Sequence, residues 1–205
     1  MSDSIQFPGL PPVPPLGIGT WQWGDTLVWG YGKGYSEDDA RQAYRAALGA
    51  GVRLFDTAEV YGLGKSERML GAFYQENPAR PLLVSKMFPF PWRFSRKALL
   101  RALRSSLRRL GLSQLDLYLL HWPWPPVPVE SWAESLAEAY ELGLTRAVGV
   151  SNHDLAQTER VSTVLARHGV RLAANQIEYN LLERGPERSG LLATLRSEGI
   201  VPMAY

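Results

Sequence analysis

Cysteine is absent from all 205 residues, which excludes a disulfide framework, thiolate metal ligation and a cysteine nucleophile. A reducing compartment suits such a chain, and the cytoplasm is the expected location. Histidine is nearly as scarce. His121, His153 and His168 show no ligand spacing such as H-E-x-x-H, so no metal site is expected. Charge of one sign is also missing: 22 basic residues face 20 acidic ones, a net +2, too weak a field to argue for nucleic acid or a membrane surface as partner. No run approaches the roughly 20 apolar residues that span a bilayer. The first fifteen residues, MSDSIQFPGLPPVPP, lack the basic and apolar regions of a leader. What is left is an ordinary soluble composition, 45% apolar and 20% charged.

Short apolar runs alternate with stretches of helical period. Strands are expected at Leu16–Trp21, Val52–Thr57, Leu82–Met87, Leu115–His121, Ala147–Val150, Leu172–Ile177 and Ile200–Ala204. Between them fall helices. The first opens on a Ser36/Asp39 capping box and carries Ala40, Ala43, Tyr44, Ala47 and Leu48 on one face. The others are Lys65–Glu76, a helix capped by Ser95 and running to Leu110, Glu130–Leu142, Asp154–His168 and Glu187–Glu198. In the Ser95–Leu110 helix a stripe of Lys97, Arg101, Arg104 and Arg108 lies opposite the leucines and reads as a solvated face.

Seven strands and six helices in strict alternation require parallel strands with right-handed crossovers. Two architectures use that pattern, the doubly wound sheet and the (β/α)8 barrel. The first turn, GIGTWQWGD, does not fit the G-x-G-x-x-G of a doubly wound nucleotide site. Units of about 30 residues suit a barrel, which normally needs about 250. The expectation is a single α/β domain over residues 1–205, a TIM-type barrel with its eighth unit missing and its edge strands exposed.

Catalytic groups of such barrels gather at the carboxyl ends of the strands. Those positions hold Asp56 with Glu59 and Tyr61, then Lys86, His121, Ser151 and Asn152, Gln176 and Glu178, and Tyr205. Singly each has a plain explanation: Asp56 as a loop cap, Lys86 at the surface, His121 as a satisfied interior histidine, Tyr61 as a half-buried tyrosine. Together a carboxylate, a phenol, an amine and an imidazole make a proton donor. A free phenol, of pKa about 10, is lowered by a neighbouring ammonium; a carboxylate fixes the ammonium, and an imidazole orients a carbonyl. The hydride must come from a cofactor, because no side chain supplies one. Trp21, Trp23, Trp29, Trp122 and Trp124 are placed to wall an apolar pocket, with loop packing as the alternative.

The stretches GIGTW, FDTAEVYGLGKSERMLG, LLVSKM, LDLYLLHWP, AVGVSN, NQIEYN and PMAY resemble, in order and spacing from about Leu16 onward, the aldo-keto reductase superfamily. The resemblance implies a barrel that binds NADPH or NADP+ across its mouth and reduces a small-molecule carbonyl. Tyr61 would give the proton, Lys86 and Asp56 would tune it, and His121 would orient the substrate. Ser151, Asn152 and Gln176 would hold the nicotinamide carboxamide, Tyr205 would stack on its ring, and Gly19, Thr20 and Trp21 would approach cofactor and substrate, with Trp23 and Trp122 on the substrate side. TWQWGDTLVWGYGKGY looks like a microbial and plastid branch that includes pyridoxal reductase-like members. The family pattern continues past the tyrosine at Tyr205, so the resemblance implies a C-terminally truncated member without most contacts to the pyrophosphate and 2′-phosphate. Other readings are a non-catalytic cofactor-binding regulatory subunit on the same fold, an inactive fragment, or an aldolase using Lys86 as a Schiff-base nucleophile. The oligomeric state is not legible.

Overall fold

Each apolar run is too short to do anything but pair with a neighbour, and each amphipathic stretch returns the chain for another parallel strand. The computed structural model describes residues 4–205; the first three of the fifteen residues read for a leader lie outside it. The strands are β1 (Ile18–Gly19), β2 (Leu54–Asp56), β3 (Leu82–Met87), β4 (Leu115–Leu120), β5 (Thr145–Ser151), β6 (Leu172–Ile177) and β7 (Val201–Ala204). They form one sheet in the order β1-β2-β3-β4-β5-β6-β7, all parallel. An order that follows the sequence without reversal belongs to a barrel wall, since a doubly wound sheet reverses at its switch point. β1 and β7 are the two edges. Between them lies a cleft of about 280 Å³ whose lining includes Ile5, Phe7, Gly17, Val201 and Met203.

The helices are α1 (Glu37–Gly49), α2 (Lys65–Glu76), α3 (Arg96–Leu110), α4 (Val129–Glu141), α5 (Leu155–Arg167), α6 (Gly185–Arg188) and α7 (Leu191–Glu198). α1 opens on the expected capping box of Ser36 and Asp39, and α5 on a second one of Asp154 and Gln157. Ser95 occupies the N-cap of α3 without a side-chain hydrogen bond. On α3, Leu100, Leu103, Leu107 and Leu110 are buried, and Lys97, Arg101, Arg104 and Arg108 are exposed as a solvated face should be. α2 and α3 approach so closely at Gly71 that a Cβ there would lie 2.5 Å from the Leu110 carbonyl oxygen.

Two expectations need correction, and one segment carried none. The first strand is not Leu16–Trp21 but only Ile18–Gly19, because the flanking residues turn away into loops. The expected helix Glu187–Glu198 is two, α6 and α7, so there are seven α-helices where six were expected; Gly190 breaks it with φ +82°, a conformation that favours glycine. The segment before Leu16, for which no element was expected from the sequence, is structured from Ile5 on. Ile5 and Val13 exchange backbone hydrogen bonds of 2.7 and 3.0 Å, and Phe7, Leu10 and Val13 are buried in one cluster with Leu54, Leu82, Val84, Leu117 and Ala147, from the four strands β2 to β5. This turn fills the barrel interior from one end. Among the described residues no helix is long and apolar enough to cross a membrane.

Candidate active site

Side chains alternate along a strand, so Ser85 and Lys86 on β3 point to opposite faces. Ser85 turns outward to Glu67, its Oγ donating over 2.6 Å. Lys86 turns inward and is fully buried. Its Nζ donates to Asp56 Oδ2 at 2.6 Å, to the Thr57 carbonyl at 2.9 Å and to the Tyr61 hydroxyl at 3.3 Å. Asp56 ends β2, and Tyr61 opens a 3-10 turn, Tyr61–Gly64, that leads into α2. His121 follows β4, its imidazole edge-on to the Tyr61 ring with centroids 5.8 Å apart. The four residues come from three successive strand ends, and the structure brings them into contact.

Burial sets the electrostatics. It disfavours the Lys86 ammonium, but the Asp56 carboxylate and the Tyr61 oxygen outweigh it and the lysine is raised above its ordinary value. Burial likewise works against the Asp56 carboxylate, opposed by the Lys86 charge. Burial and then Lys86 push His121 down to about 3, so the imidazole is neutral at physiological pH. Tyr61 departs from expectation. The ammonium does pull it down, but burial is the larger effect and the phenol ends above its ordinary value. The site therefore holds a protonated phenol beside a cation.

A second group forms at the ends of β5 and β6. Ser151 Oγ donates to the Gln176 carbonyl at 3.0 Å, and Asn152 N to the same oxygen at 2.8 Å. Asn152 has φ +60°, left-handed backbone that costs a non-glycine residue about 1–2 kcal/mol. Its side chain offsets this: Nδ2 donates to the His121 carbonyl at 3.2 Å and to Ser151 Oγ at 3.1 Å, while Oδ1 accepts from the Tyr205 hydroxyl at 2.7 Å. Behind the turn, buried His153 has Nδ1 2.8 Å from the Ser151 carbonyl, and Asn175 Nδ2 donates to the His153 carbonyl at 2.9 Å.

These groups share a cleft of about 680 Å³, open to solvent. Gly19, Trp21, Asp56, Tyr61, His121, Trp122, Ser151, Asn152, Gln176 and Tyr205 all line it, with Lys86 beneath. Thr20, Trp23, Trp29 and Trp124, expected at the cofactor or as pocket walls, do not line it. Thr20 is fully buried, its Oγ1 donating to the Asp56 carbonyl at 3.0 Å and 2.7 Å from Ser66 Oγ, so it anchors the loop from behind. Trp23 is not a pocket wall: it is buried against Tyr44, Phe55 and Phe73 at 6.5, 6.4 and 5.6 Å. The loop after β1 turns at Gly24, φ +83°, and Trp21 and Trp23 fall on opposite sides. Trp29 packs edge-on to Trp21 at 5.5 Å, and Trp124 edge-on to Phe88 at 5.0 Å. Gln22, Val60 and Phe88 also line the cleft and were missed. Phe88 lies two residues beyond Lys86 at a strand end, a position that the strand-end argument reaches, but an apolar side chain there carries no chemical signal in the sequence. Among the described residues no group of three or more His, Asp or Glu is placed to hold a metal ion.

A family model described as "Aldo/keto reductase family" matches residues 15–205. The chain is 36% identical over 206 residues to the chloroplastic pyridoxal reductase of Arabidopsis thaliana, covering 94% of this chain and 56% of that protein. It is 33% identical over 207 residues to a methylglyoxal reductase of Escherichia coli, covering 98% and 66%. Among solved structures, an aldo/keto reductase from Klebsiella pneumoniae in complex with NADP and acetate superposes with a TM-score of 0.84 at 32% identity, covering 100% of this chain and 68% of that one. The chain thus spans about half to two thirds of the length of the curated relatives it matches.

Proposed function

The chain belongs to the aldo/keto reductase family, and from that premise we propose that it is an NADPH-dependent reductase that turns an aldehyde or ketone into an alcohol, with Tyr61 as proton donor. One observation carries the reading. A buried lysine, held by Asp56 at 2.6 Å, reaches the Tyr61 hydroxyl at 3.3 Å on the floor of an aromatic cleft that also holds a neutral histidine.

NADPH, when bound, supplies the hydride. The residues on the β5–β6 wall fit its reacting end: Ser151, Asn152 and Gln176 offer the hydroxyl and amide groups that match a carboxamide, and Tyr205, half exposed beside them, offers a planar face. His121, neutral, donates an N–H to the carbonyl oxygen and orients it. As charge develops on that oxygen Tyr61 transfers its phenolic proton, and the Lys86 ammonium stabilises the phenolate left behind. Asp56 keeps Lys86 charged and in place. Trp21 and Trp122 exclude water and flank a flat substrate.

For the substrate we propose a small carbonyl compound with a ring or a flat conjugated group, and pyridoxal, by likeness to the Arabidopsis relative, is the first to try. The test is NADPH consumption by the purified protein with a panel including pyridoxal, methylglyoxal and benzaldehyde. Turnover of at least one is expected, and none at any concentration would overturn the reading.

A further inference from the structure

Glu59 sits in the loop after β2, between Asp56 and Tyr61, and none of the chemistry above uses it. Its carboxylate is nevertheless at a hub. Oε1 accepts the Phe88 backbone N–H at 2.7 Å, and the two oxygens together take the Arg93 guanidinium, Nη1 on Oε1 and Nη2 on Oε2 at 3.0 Å. Arg93 Nη1 also donates to the Phe88 carbonyl at 2.8 Å. Both polar groups of the Phe88 residue are therefore tied to one ion pair. The pair is largely desolvated, with side-chain exposures of 8% for Glu59 and 20% for Arg93, and its two-pronged geometry fixes direction as well as distance. What it fixes is a wall of the cleft. The Phe88 ring stands edge-on to His121 at 5.6 Å and to Trp124 at 5.0 Å, and Trp124 stacks on Trp122 at 5.4 Å. The Arg93 guanidinium further covers Phe90, 5.2 Å from its centroid.

We propose that the Glu59–Arg93 pair is a specificity-determining clamp, which locks the loop after β3 to the loop after β2 and so sets the space between Tyr61 and Phe88 that a ring-bearing carbonyl must enter. A buried charge pair contributes little net stability compared with apolar packing of the same volume. Its advantage is a fixed geometry, and here that geometry is applied one residue beyond the end of the strand that carries Lys86. Glu59 and Arg93 are positioning residues: neither lines the cleft itself. The inference rests on the reductase reading for its kinetic consequence but not for its structural one.

The experiment uses Arg93→Met, which removes the fork, Arg93→Lys, which keeps the charge, and Glu59→Gln, which keeps an acceptor for the Phe88 N–H. In variants whose thermal melts match the parent, KM for benzaldehyde should rise about tenfold in Arg93→Met, with kcat less affected, because a loosened wall misplaces the ring. KM for methylglyoxal, which has no ring, should change by less than about twofold. Arg93→Lys should recover part of the loss. Equal changes for both carbonyls, or none for either, overturn the clamp. If the parent protein consumes no NADPH, the reductase reading falls, and the clamp is judged without turnover. The Phe88 amide should then exchange hydrogen faster in Arg93→Met, and benzaldehyde, followed by tryptophan quenching, should bind about tenfold more weakly. Unchanged exchange and binding would sink the proposal.

Discussion

In the proposed mechanism Tyr61 gives the proton, and its environment bears on how it would do so. Burial holds the phenol protonated, while Lys86 at 3.3 Å is ready to stabilise the anion once the proton has left. Tyr61→Phe removes the proton without removing the ring that packs against Trp21 at 6.2 Å. The expected result is a fall in kcat of about 10²–10⁴-fold, the range for losing a general acid, with NADPH affinity nearly unchanged. Steady-state kinetics and a calorimetric titration check both halves, and a variant keeping more than about half the rate removes Tyr61 from the mechanism. The two interior histidines make a second prediction at this scale. Folded His121 titrates at about 3 and His153 at about 4, both against an ordinary 6.5. Their folded values are depressed, so between pH 6.5 and 4 the unfolded chain binds protons that the folded chain refuses. Their stabilisation is therefore full above pH 6.5 and is lost as pH falls, at about 1.4 kcal/mol per pH unit for each histidine. Urea melts at pH 7, 6 and 5 should show that slope, and His153→Gln should reduce it by the share of one histidine.

At the scale of elements, helix ends and helix contacts were legible where they depend on local chemistry. The capping box at Ser36 needs only its own turn of backbone, and it is there. The box at Asp154, whose side chain accepts from Gln157 N at 2.8 Å, is equally local, although only the helix that starts there was expected from the sequence. Asp154→Ala should cost about 1 kcal/mol, read as a lowered thermal midpoint. Gly71 is different, because nothing local marks it. Only the packing of α2 on α3 shows that a methyl group there would press on the Leu110 carbonyl. Gly71→Ala should destabilise by about 1–3 kcal/mol, as overpacking does, despite alanine's better helix propensity. A stabilised variant would mean that the two helices can move apart. The split between α6 and α7 falls at Gly190: α6 buries no residue, the apolar face begins at Leu191, and the left-handed backbone at Gly190 separates the two.

At the scale of the whole molecule, the sheet is ordered but not closed. β4 has a neighbour on each side and its side chains are almost wholly buried, whereas β7 has one neighbour and alternates between partly buried and exposed positions. Backbone hydrogen exchange should follow that gradient, slowest in β3–β5 and fastest in β7 and β1. Protection in β7 equal to that in β4 would show that its free edge is covered in solution. The turn from Ile5 to Val13 adds to this, since it fills the interior beside the cleft between β1 and β7.

The sequence by itself determined the parallel barrel order and which residues lie at the strand ends, because periodicity and alternation are properties of neighbouring residues along the chain. It brought Asp56, Tyr61, Lys86 and His121 to one mouth by that logic alone. The tertiary structure decided what periodicity does not encode. It sent Trp21 to the cleft and Trp23 to the core, because a loop's direction depends on what it packs against. It raised Tyr61 rather than lowering it, because desolvation depends on everything around a group and not on its nearest charge. It also tied Glu59 to Arg93 across 34 residues, a contact that exists only once two strands lie side by side.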